Sequence, residues 1–399
     1  MDINLFAKKI IPRDKSFFQN DITSNYNLLN ENIEKSNVLV IGGAGTIGSN
    51  FIKALLKFNP KKVVVVDNNE NELTELIRDL RSSESIAMPN EFYTYPISFS
   101  SNIFSKIFNY HGPFEIVANF AAHKHVRSEK DIFSIEALLE NNLFQAKDLL
   151  DMLLQKPPKH FFCVSTDKAA NPVNIMGASK KLMEDMILSY SKHIKISTAR
   201  FANVAFSNGS LLYGFVMRMS KSQPLSCPID VKRFFVTPEE AGEICMLACI
   251  LGESGEIYFP KMEKENDLIN FAEILNLYLK DAGFEPYLCN TEQLAKSSMK
   301  EVHNGKYPVY TFNSNTNGEK LFEEFYTDNE RPCFNKFESL GVIKKTPTYS
   351  IIEIEQMIIQ LRNIFKIGNP AKINIIDALK NYIPEFEHIE TGLNLDNKM

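Results

Sequence analysis

Gly42, Gly43, Gly45 and Gly48 stand in the run VLVIGGAGTIGSNFIKALL, where an apolar strand pattern turns at once into a helical one. Glycine at such a turn adopts backbone angles closed to other residues. A missing side chain lets a pyrophosphate approach the backbone. The free N–H groups and positive dipole end of the following helix then meet that anion. Gly42, Gly45, Thr46, Ile47 and Gly48 are therefore candidate cofactor contacts. The next apolar run ends in Asp67, near the spacing expected for an acid on an adenosine ribose. A carboxylate accepts hydrogen bonds from both ribose hydroxyls and repels a 2′-phosphate. Asn68, Asn69 and Glu70 follow it, with no cation to receive that phosphate. The pattern predicts NAD rather than NADP. A glycine turn with no ligand is the bland alternative, and the strand–turn–helix context argues against it.

The second set lies in FFCVSTDKAANPVNIMGASKKLMED. Thr166, Asp167 and Lys168 follow an apolar run. An acid and an amine side by side can act on one bound molecule, one giving and one taking a proton. The same pair is also what a solvated turn contains. Met176 alone reads as core, since a thioether neither gives nor takes a catalytic proton. Ala121, Ala122, His123, Lys124 and His125 follow a further apolar run, at the end where open α/β sheets bind ligands. Lys124 reads equally as a contact and as surface, and His123 as packing or surface. Cys245 and Cys249, one turn apart on an apolar helix, read as core.

Positioning these groups requires a regular scaffold. Val38–Ile41, Val63–Val66, Phe92–Ile97, Ile116–Phe120, Phe161–Val164 and Ile194–Ala199 read as strands, several apolar throughout, as in a parallel sheet covered on both faces. Helical patterns lie between them near 47–58, 70–83, 101–110, 132–154 and 176–192, with another near 239–251. Ile47, Phe51, Leu55 and Phe58 form one apolar stripe. The alternation predicts an α/β fold, a Rossmann-like doubly wound parallel sheet with a smaller C-terminal substrate-binding region. Residues 1–35 read as an arm packing on the body or on a neighbour, 36–205 as the NAD-binding domain, 206–345 as a substrate region interleaved with the sheet, and 346–399 as a helical extension. The amphipathic run IIEIEQMIIQLRNIF belongs to that extension, and the final NLDNKM reads as frayed.

Together, Gly42-x-x-Gly45-x-x-Gly48, the run from Ala121 to Val126, Ser165-Thr166-Asp167-Lys168-Ala169-Ala170-Asn171-Pro172 and Arg200-Phe201-Ala202-Asn203-Val204 resemble an extended short-chain dehydrogenase/reductase. More narrowly, the chain resembles bacterial polysaccharide-biosynthesis nucleotide-sugar 4,6-dehydratases, of the branch serving legionaminic acid and similar surface sugars. The resemblance covers residues 36–262 and returns at Gly318-Glu319-Lys320-Leu321-Phe322-Glu323. It implies a UDP-N-acetylhexosamine substrate, usually UDP-N-acetylglucosamine, and three steps: oxidation at C4 by NAD, loss of water across C5 and C6, and return of hydride to C6. The superfamily pattern is Tyr-x-x-x-Lys, and here it is Met176-x-x-x-Lys180. The resemblance therefore passes the tyrosine's work to Asp167 as acid and Lys168 as C5 base, which requires a lowered pKa at the amine. It gives Thr166 the sugar O4, Lys180 the nicotinamide ribose, and Ala121 and Ala122 the cofactor. Lys124, His125, Asn203, Arg233 and Glu323 go to the substrate, and Asn142 to the backbone near the fourth strand. It also implies retained configuration at C5 and subunit pairing through helices 132–154 and 176–192, hence at least a dimer. Ser98 stands where the family has an Asp beside adenine. Thr316-Asn317 replaces Arg-Pro ahead of Gly318, which leaves uridine or guanosine open. A 4-epimerase or reductase predicts Tyr at 176, and a non-catalytic NAD-binding scaffold would not need both Asp167 and Lys168.

The formal charge of −5 gives no basic footprint for nucleic acid, and the 44% apolar fraction suits a chain that buries a full core. Six scattered cysteines without a CxxC pair make neither a disulfide scaffold nor a zinc site, and no metal is expected. No apolar run approaches a membrane span and no uninterrupted signal core opens the chain, so the expectation is a soluble cytoplasmic protein.

Overall fold

The computed structural model describes residues 3–11, 13, 15–314, 322–366 and 370–390. Six apolar stretches form β1 (Asn37–Ile41), β2 (Lys62–Asp67), β3 (Glu91–Pro96), β4 (Ile116–Asn119), β5 (His160–Val164) and β6 (Ile196–Ala199). They are joined by β7 (Asn203–Val204), β8 (Leu225–Pro228), β9 (Lys232–Val236), β10 (Glu256–Pro260), β11 (Leu268–Asn270), β12 (Glu285–Cys289), β13 (Lys306–Phe312), β14 (Pro332–Cys333) and β15 (Leu340–Lys344). The central sheet runs β14-β15-β10-β6-β5-β4-β1-β2-β3. From β3 to β10 every pairing is parallel, and β15 and β14 close the far edge antiparallel. The order 3-2-1-4-5-6 is that of a doubly wound Rossmann-like sheet, with its switch point between β1 and β4.

Alternate strand residues enter two cores. Val38, Val40, Val63 and Val65 pack with helices Thr46–Leu56 and Pro238–Leu251. Leu39, Ile41, Val64 and Val66 pack on the other face with helices Ile132–Leu139, Gln145–Gln155 and Ile175–Ser189. The first two of these helices join through one π-helical turn, Glu140–Phe144. A third cluster holds the smaller region, where β8, β12 and β13 form one three-stranded sheet and β7, β9 and β11 another. Phe6, Ala7 and Ile10 of the N-terminal arm enter that cluster, while Phe18, Leu29 and Ile33 enter the first. The arm thus runs over the body of its own chain.

The two helices named in the subunit-pairing expectation are packed over by the chain's own C-terminal helices. Every residue of helix Ile175–Ser189 is buried within the single chain. Helices Ile351–Lys366 and Lys372–Tyr382 lie over it, contributing Ile358, Leu361, Ile375 and Leu379 to its cluster. Glu355 pairs with Lys147, and Arg362 stacks 4.9 Å from the Phe144 ring centroid, so helix Gln145–Gln155 is covered too. The run Gly318 to Leu321 and the last residues, NLDNKM, fall outside the described residues.

Candidate active site

The glycines divide the work of the β1–helix turn. Gly42 has φ +72°, and a Cβ there would meet the Ala121 nitrogen at 2.5 Å. A Cβ on Gly48 would sit 2.4 Å from the Gly42 carbonyl oxygen. These two positions are closed by packing. At Gly45 the nearest atom would be 3.6 Å away, which is open contact distance. Gly45 also caps helix Thr46–Leu56 with no side chain on its first amides. Those amides are left for an anion. Thr46 Oγ1 accepts from the Asn208 amide at 3.1 Å.

A cleft beside this turn is lined by Gly42, Gly45, Asp67, Ser98, Ala121 and Ala122, among others. The Ala44 and Asn69 amides donate to Asp67 Oδ2 and Oδ1, each at 3.0 Å. These bonds fix the carboxylate, and each oxygen keeps acceptor capacity. The donor set, the open Gly45 and the immobilised acid fit an adenine dinucleotide. Ser98 does line the cleft, held to Ser100 Oγ at 2.8 Å. His123 also lines it and is exposed. Asn142 does hold the backbone after β4: it accepts from the His123 amide at 2.9 Å and donates to its carbonyl at 3.0 Å. Asn141, not anticipated, lines the cleft beside it. Its signal was the Asn-Asn pair inside an apolar helix pattern.

At the C-terminal end of β5 the chain makes a short 3₁₀ turn over Asp167–Ala169. Thr166 Oγ1 donates to Asp167 Oδ1 at 2.8 Å, and Lys168 Nζ donates to the same oxygen at 3.1 Å. Glu323 Oε1 stands 3.6 Å from Lys168 Nζ. Asp167, Glu323 and Arg233 are each less than a tenth exposed. The structure therefore gathers Thr166, Asp167, Lys168, Glu323 and, close enough to act on the lysine's charge, Arg233. Burial lowers the Lys168 pKa, but the Asp167 and Glu323 carboxylates raise it more, Arg233 opposes them in part, and the net shift is upward. Lys168 is thus an ammonium, not the neutral amine a base requires. The neighbouring Asp167 contributes most to that rise, and Glu323, a second carboxylate far away in sequence, adds to it.

Lys180 is buried and donates to the Val164 carbonyl at 3.0 Å, and burial depresses its pKa. Met176, one turn earlier, is 2% exposed and packs in the second core. It has no part in proton transfer. Lys124 is exposed, yet the surrounding protein desolvates it enough to lower its pKa. Burial, Lys124 and Arg127 push His125 down to about 4, so it is neutral at pH 7. Its ring lies against Gly209, where a Cβ would come within 2.8 Å of Nε2. Asn203 sits on β7, paired with Phe235 of β9. Beneath the cluster lies a network the sequence did not announce: Arg200 binds Glu184 and Glu330, and Ser165 donates to Glu184 at 2.6 Å.

Residues 38–345 match the family described as polysaccharide biosynthesis protein. The chain is 29% identical to the uncharacterized membrane protein MJ1061 of Methanocaldococcus jannaschii, over 77% of this chain and 85% of that one. It is 26% identical to the capsular polysaccharide biosynthesis protein CapD of Staphylococcus aureus, over 87% of this chain and 54% of CapD, so it spans about half of that relative. It is 25% identical to an inverting UDP-N-acetylglucosamine 4,6-dehydratase of Campylobacter jejuni, over 57% of this chain and 67% of that enzyme. Among solved structures, Pen from Bacillus thuringiensis superposes with a TM-score of 0.64 at 20% identity, covering 83% of this chain and 98% of Pen. DesIV, a dTDP-glucose 4,6-dehydratase from Streptomyces venezuelae with NAD and TYD bound, gives 0.56 at 16% identity, covering 82% and 97%. These two likenesses bear on the fold. Among the described residues no helix is long and apolar enough to cross a membrane.

Proposed function

From the premise that the chain belongs to the polysaccharide biosynthesis protein family, we propose that it is an NAD-dependent 4,6-dehydratase acting on UDP-N-acetylglucosamine in the cytoplasm. At the coarser level it is a member of the nucleotide-sugar dehydratase and epimerase superfamily. One observation carries the finer reading. Thr166, Asp167, Lys168 and Glu323 form one cluster of hydrogen-bonded and charged side chains, while the position of the superfamily tyrosine holds the buried Met176. An epimerase needs one group to move one proton at O4. Dehydration needs an acid and a base as well, and here both lie together.

NAD, when bound, takes the C4 hydrogen of the sugar and returns it at C6. The chain's residues handle the protons. The O4 proton enters through the Thr166 hydroxyl, which already donates to Asp167. Once Asp167 carries that proton, Lys168 loses one of the two carboxylates that raise its pKa. Burial and Arg233 then dominate, and the Lys168 proton moves to Glu323 Oε1, 3.6 Å away. The neutral amine removes the C5 proton, which the C4 ketone has acidified. Asp167 gives its proton to the departing C6 hydroxyl, which leaves as water. Lys168 returns a proton to C5, and Glu323 restores the ammonium. The pair ends as it began, so the cycle is closed in protons.

The test is incubation with UDP-N-acetylglucosamine and mass spectrometry of the sugar nucleotide. A product lighter by one water is expected. An unchanged mass with altered C4 configuration means an epimerase, and an unchanged substrate means a scaffold.

A further inference from the structure

Residues beyond 345 lie outside the family match. After helix Lys372–Tyr382 the chain turns back over the site side of the second core, with Ile383 and Phe386 both 1% exposed. The Ile389 amide then donates to the Val173 carbonyl at 3.0 Å. His388 and Glu129 meet beside it, Nε2 to Oε2 at 3.6 Å, with side chains 4% and 3% exposed. Glu129 Oε2 in turn accepts from the Ile175 amide at 2.7 Å. Asn174 Oδ1 accepts from the Gly177 amide at 2.7 Å. The first turn of helix Ile175–Ser189, which carries Lys180, therefore has two side-chain caps, and one of them is backed by the C-terminal tail.

This clasp is polar where the surroundings are apolar. Among the described residues, neither His388 Nε2 nor Glu129 Oε1 has a hydrogen-bond partner. Buried polar atoms of this kind cost stability, and an apolar residue at 388 would pack without that cost. What the clasp supplies is position. Val173 to Ile175 is backbone between Lys168 and Lys180, and Lys180 Nζ donates to the Val164 carbonyl at the end of β5.

We propose that His388 is a positioning residue of the site: through Glu129 it fixes the start of helix Ile175–Ser189 and so the reach of Lys180, a task given to the chain's own C-terminal tail. The inference rests on the NAD reading for its binding readout and stands on backbone exchange independently. The full chain, His388→Ala and His388→Gln are compared by titration with NAD and with ADP. ADP reaches the Gly42–Gly48 turn and Asp67 but not Lys180. His388→Ala should bind NAD about tenfold more weakly, the equivalent of one lost hydrogen bond to the cofactor, with ADP affinity unchanged. His388→Gln, able to donate to Glu129, should restore NAD binding. Amide exchange at 175–178 should rise in His388→Ala, recover in His388→Gln, and stay constant in helix Thr46–Leu56. Wild-type NAD affinity in His388→Ala, equal losses for NAD and ADP, or no rescue by glutamine would overturn the proposal. A wild-type chain that binds no NAD would refute the cofactor reading instead. Unchanged exchange at 175–178 in His388→Ala would then overturn the clasp on its own.

Discussion

Arg200 and Glu330 meet through two parallel contacts, Nη1 to Oε2 at 2.7 Å and Nη2 to Oε1 at 2.8 Å, with the guanidinium fully buried. The same guanidinium donates to Glu184 through Nε at 2.9 Å and Nη2 at 2.7 Å, and to the Phe325 carbonyl at 3.0 Å. Arg200 follows β6, so this fork ties the segment carrying Glu323 and Phe325 to the end of the central sheet. Arg200→Ala leaves the buried Glu184 without its ion-pair partner. The expected loss is about 3–5 kcal/mol in urea unfolding. A change below about 1 kcal/mol, the level of an exposed pair, would show that the fork contributes nothing.

Glu184 makes that network sensitive to acid. Burial raises its pKa, the Arg200 guanidinium outweighs that and lowers it, and the result is about 2 against an ordinary 4.5. A carboxyl whose folded pKa is depressed adds stability above its unfolded pKa, and that stability is lost as pH falls through the folded value. The contribution is complete above pH ~4.5 and gone below pH ~2. The urea midpoints of wild type and Glu184→Gln should therefore differ more at about pH 6 than at about pH 3. An equal gap at both would contradict this assignment.

Cofactor choice follows from Asp67. Two backbone amides hold its carboxylate in the cleft beside Asn68, and neither brings a positive charge. Titration should give tighter binding of NAD than of NADP. Asp67→Ala should narrow the gap, since it removes both the ribose acceptor and the repulsion. Tighter NADP binding by the wild type would refute the assignment.

The scaffold was legible because its signals are local. Strand periodicity places β1 to β6 within a residue or two, and the glycine turn names its own neighbours. Relations between distant residues were not legible. Arg200 and Glu330 are 130 positions apart, and nothing in either segment points to the other. The resemblance made Lys168 a base with a lowered pKa, but Asp167 beside it raises that pKa and a second carboxylate, Glu323, arrives through the fold. Helix Ile175–Ser189 carries Lys180, Lys181, Glu184 and Asp185, which at helical spacing suggests a solvated face. The fold buries all four. Asp185 pairs with Lys181 and Lys345, Glu184 with Arg200, and two C-terminal helices cover the rest. The amphipathic run of residues 351–365 announced a helix but not the face it would cover.

That cover gives a stability prediction. Leu361 and Leu379 are fully buried against the second core. Leu361→Ala and Leu379→Ala should each cost about 2–5 kcal/mol. Unfolding at near wild-type denaturant concentration would mean that the C-terminal helices do not pack as described.

Stereochemistry tests the one-sided site. The Campylobacter jejuni relative is named as inverting. Here the proposed proton-transfer groups Asp167, Lys168 and Glu323 form one cluster, and the alternative position holds Met176 in the core. One lysine that removes and returns the C5 proton does so on one face. The product should keep the D-xylo configuration, and NMR couplings of an L-arabino sugar would contradict it.

Asp167 and Lys168 should fail at separable steps. Lys168→Ala removes the C5 base but leaves Thr166 and Asp167 to accept the O4 proton. It should oxidise C4 and stop, so that reduced nicotinamide absorbance appears and persists. Asp167→Asn keeps the shape but cannot take the O4 proton or release one to the C6 hydroxyl, and Lys168 then keeps only Glu323 as its carboxylate. Oxidation and elimination should both slow, with little reduced nicotinamide. Each loss should be about 10²–10⁴ in turnover, the usual range for a general acid or base. Neither change touches the Gly42–Gly48 turn, so NAD affinity should hold. In D₂O the wild type should place one deuterium at C5, because the proton on Lys168 exchanges before return. Three readings decide: turnover, the reduced nicotinamide signal in each variant, and product mass in D₂O. If both variants turn over near the wild-type rate, these two residues are not the acid and the base. If Lys168→Ala shows no reduced nicotinamide while Asp167→Asn accumulates it, the O4 proton goes to the lysine and the order derived from the Asp167–Lys168–Glu323 geometry is reversed.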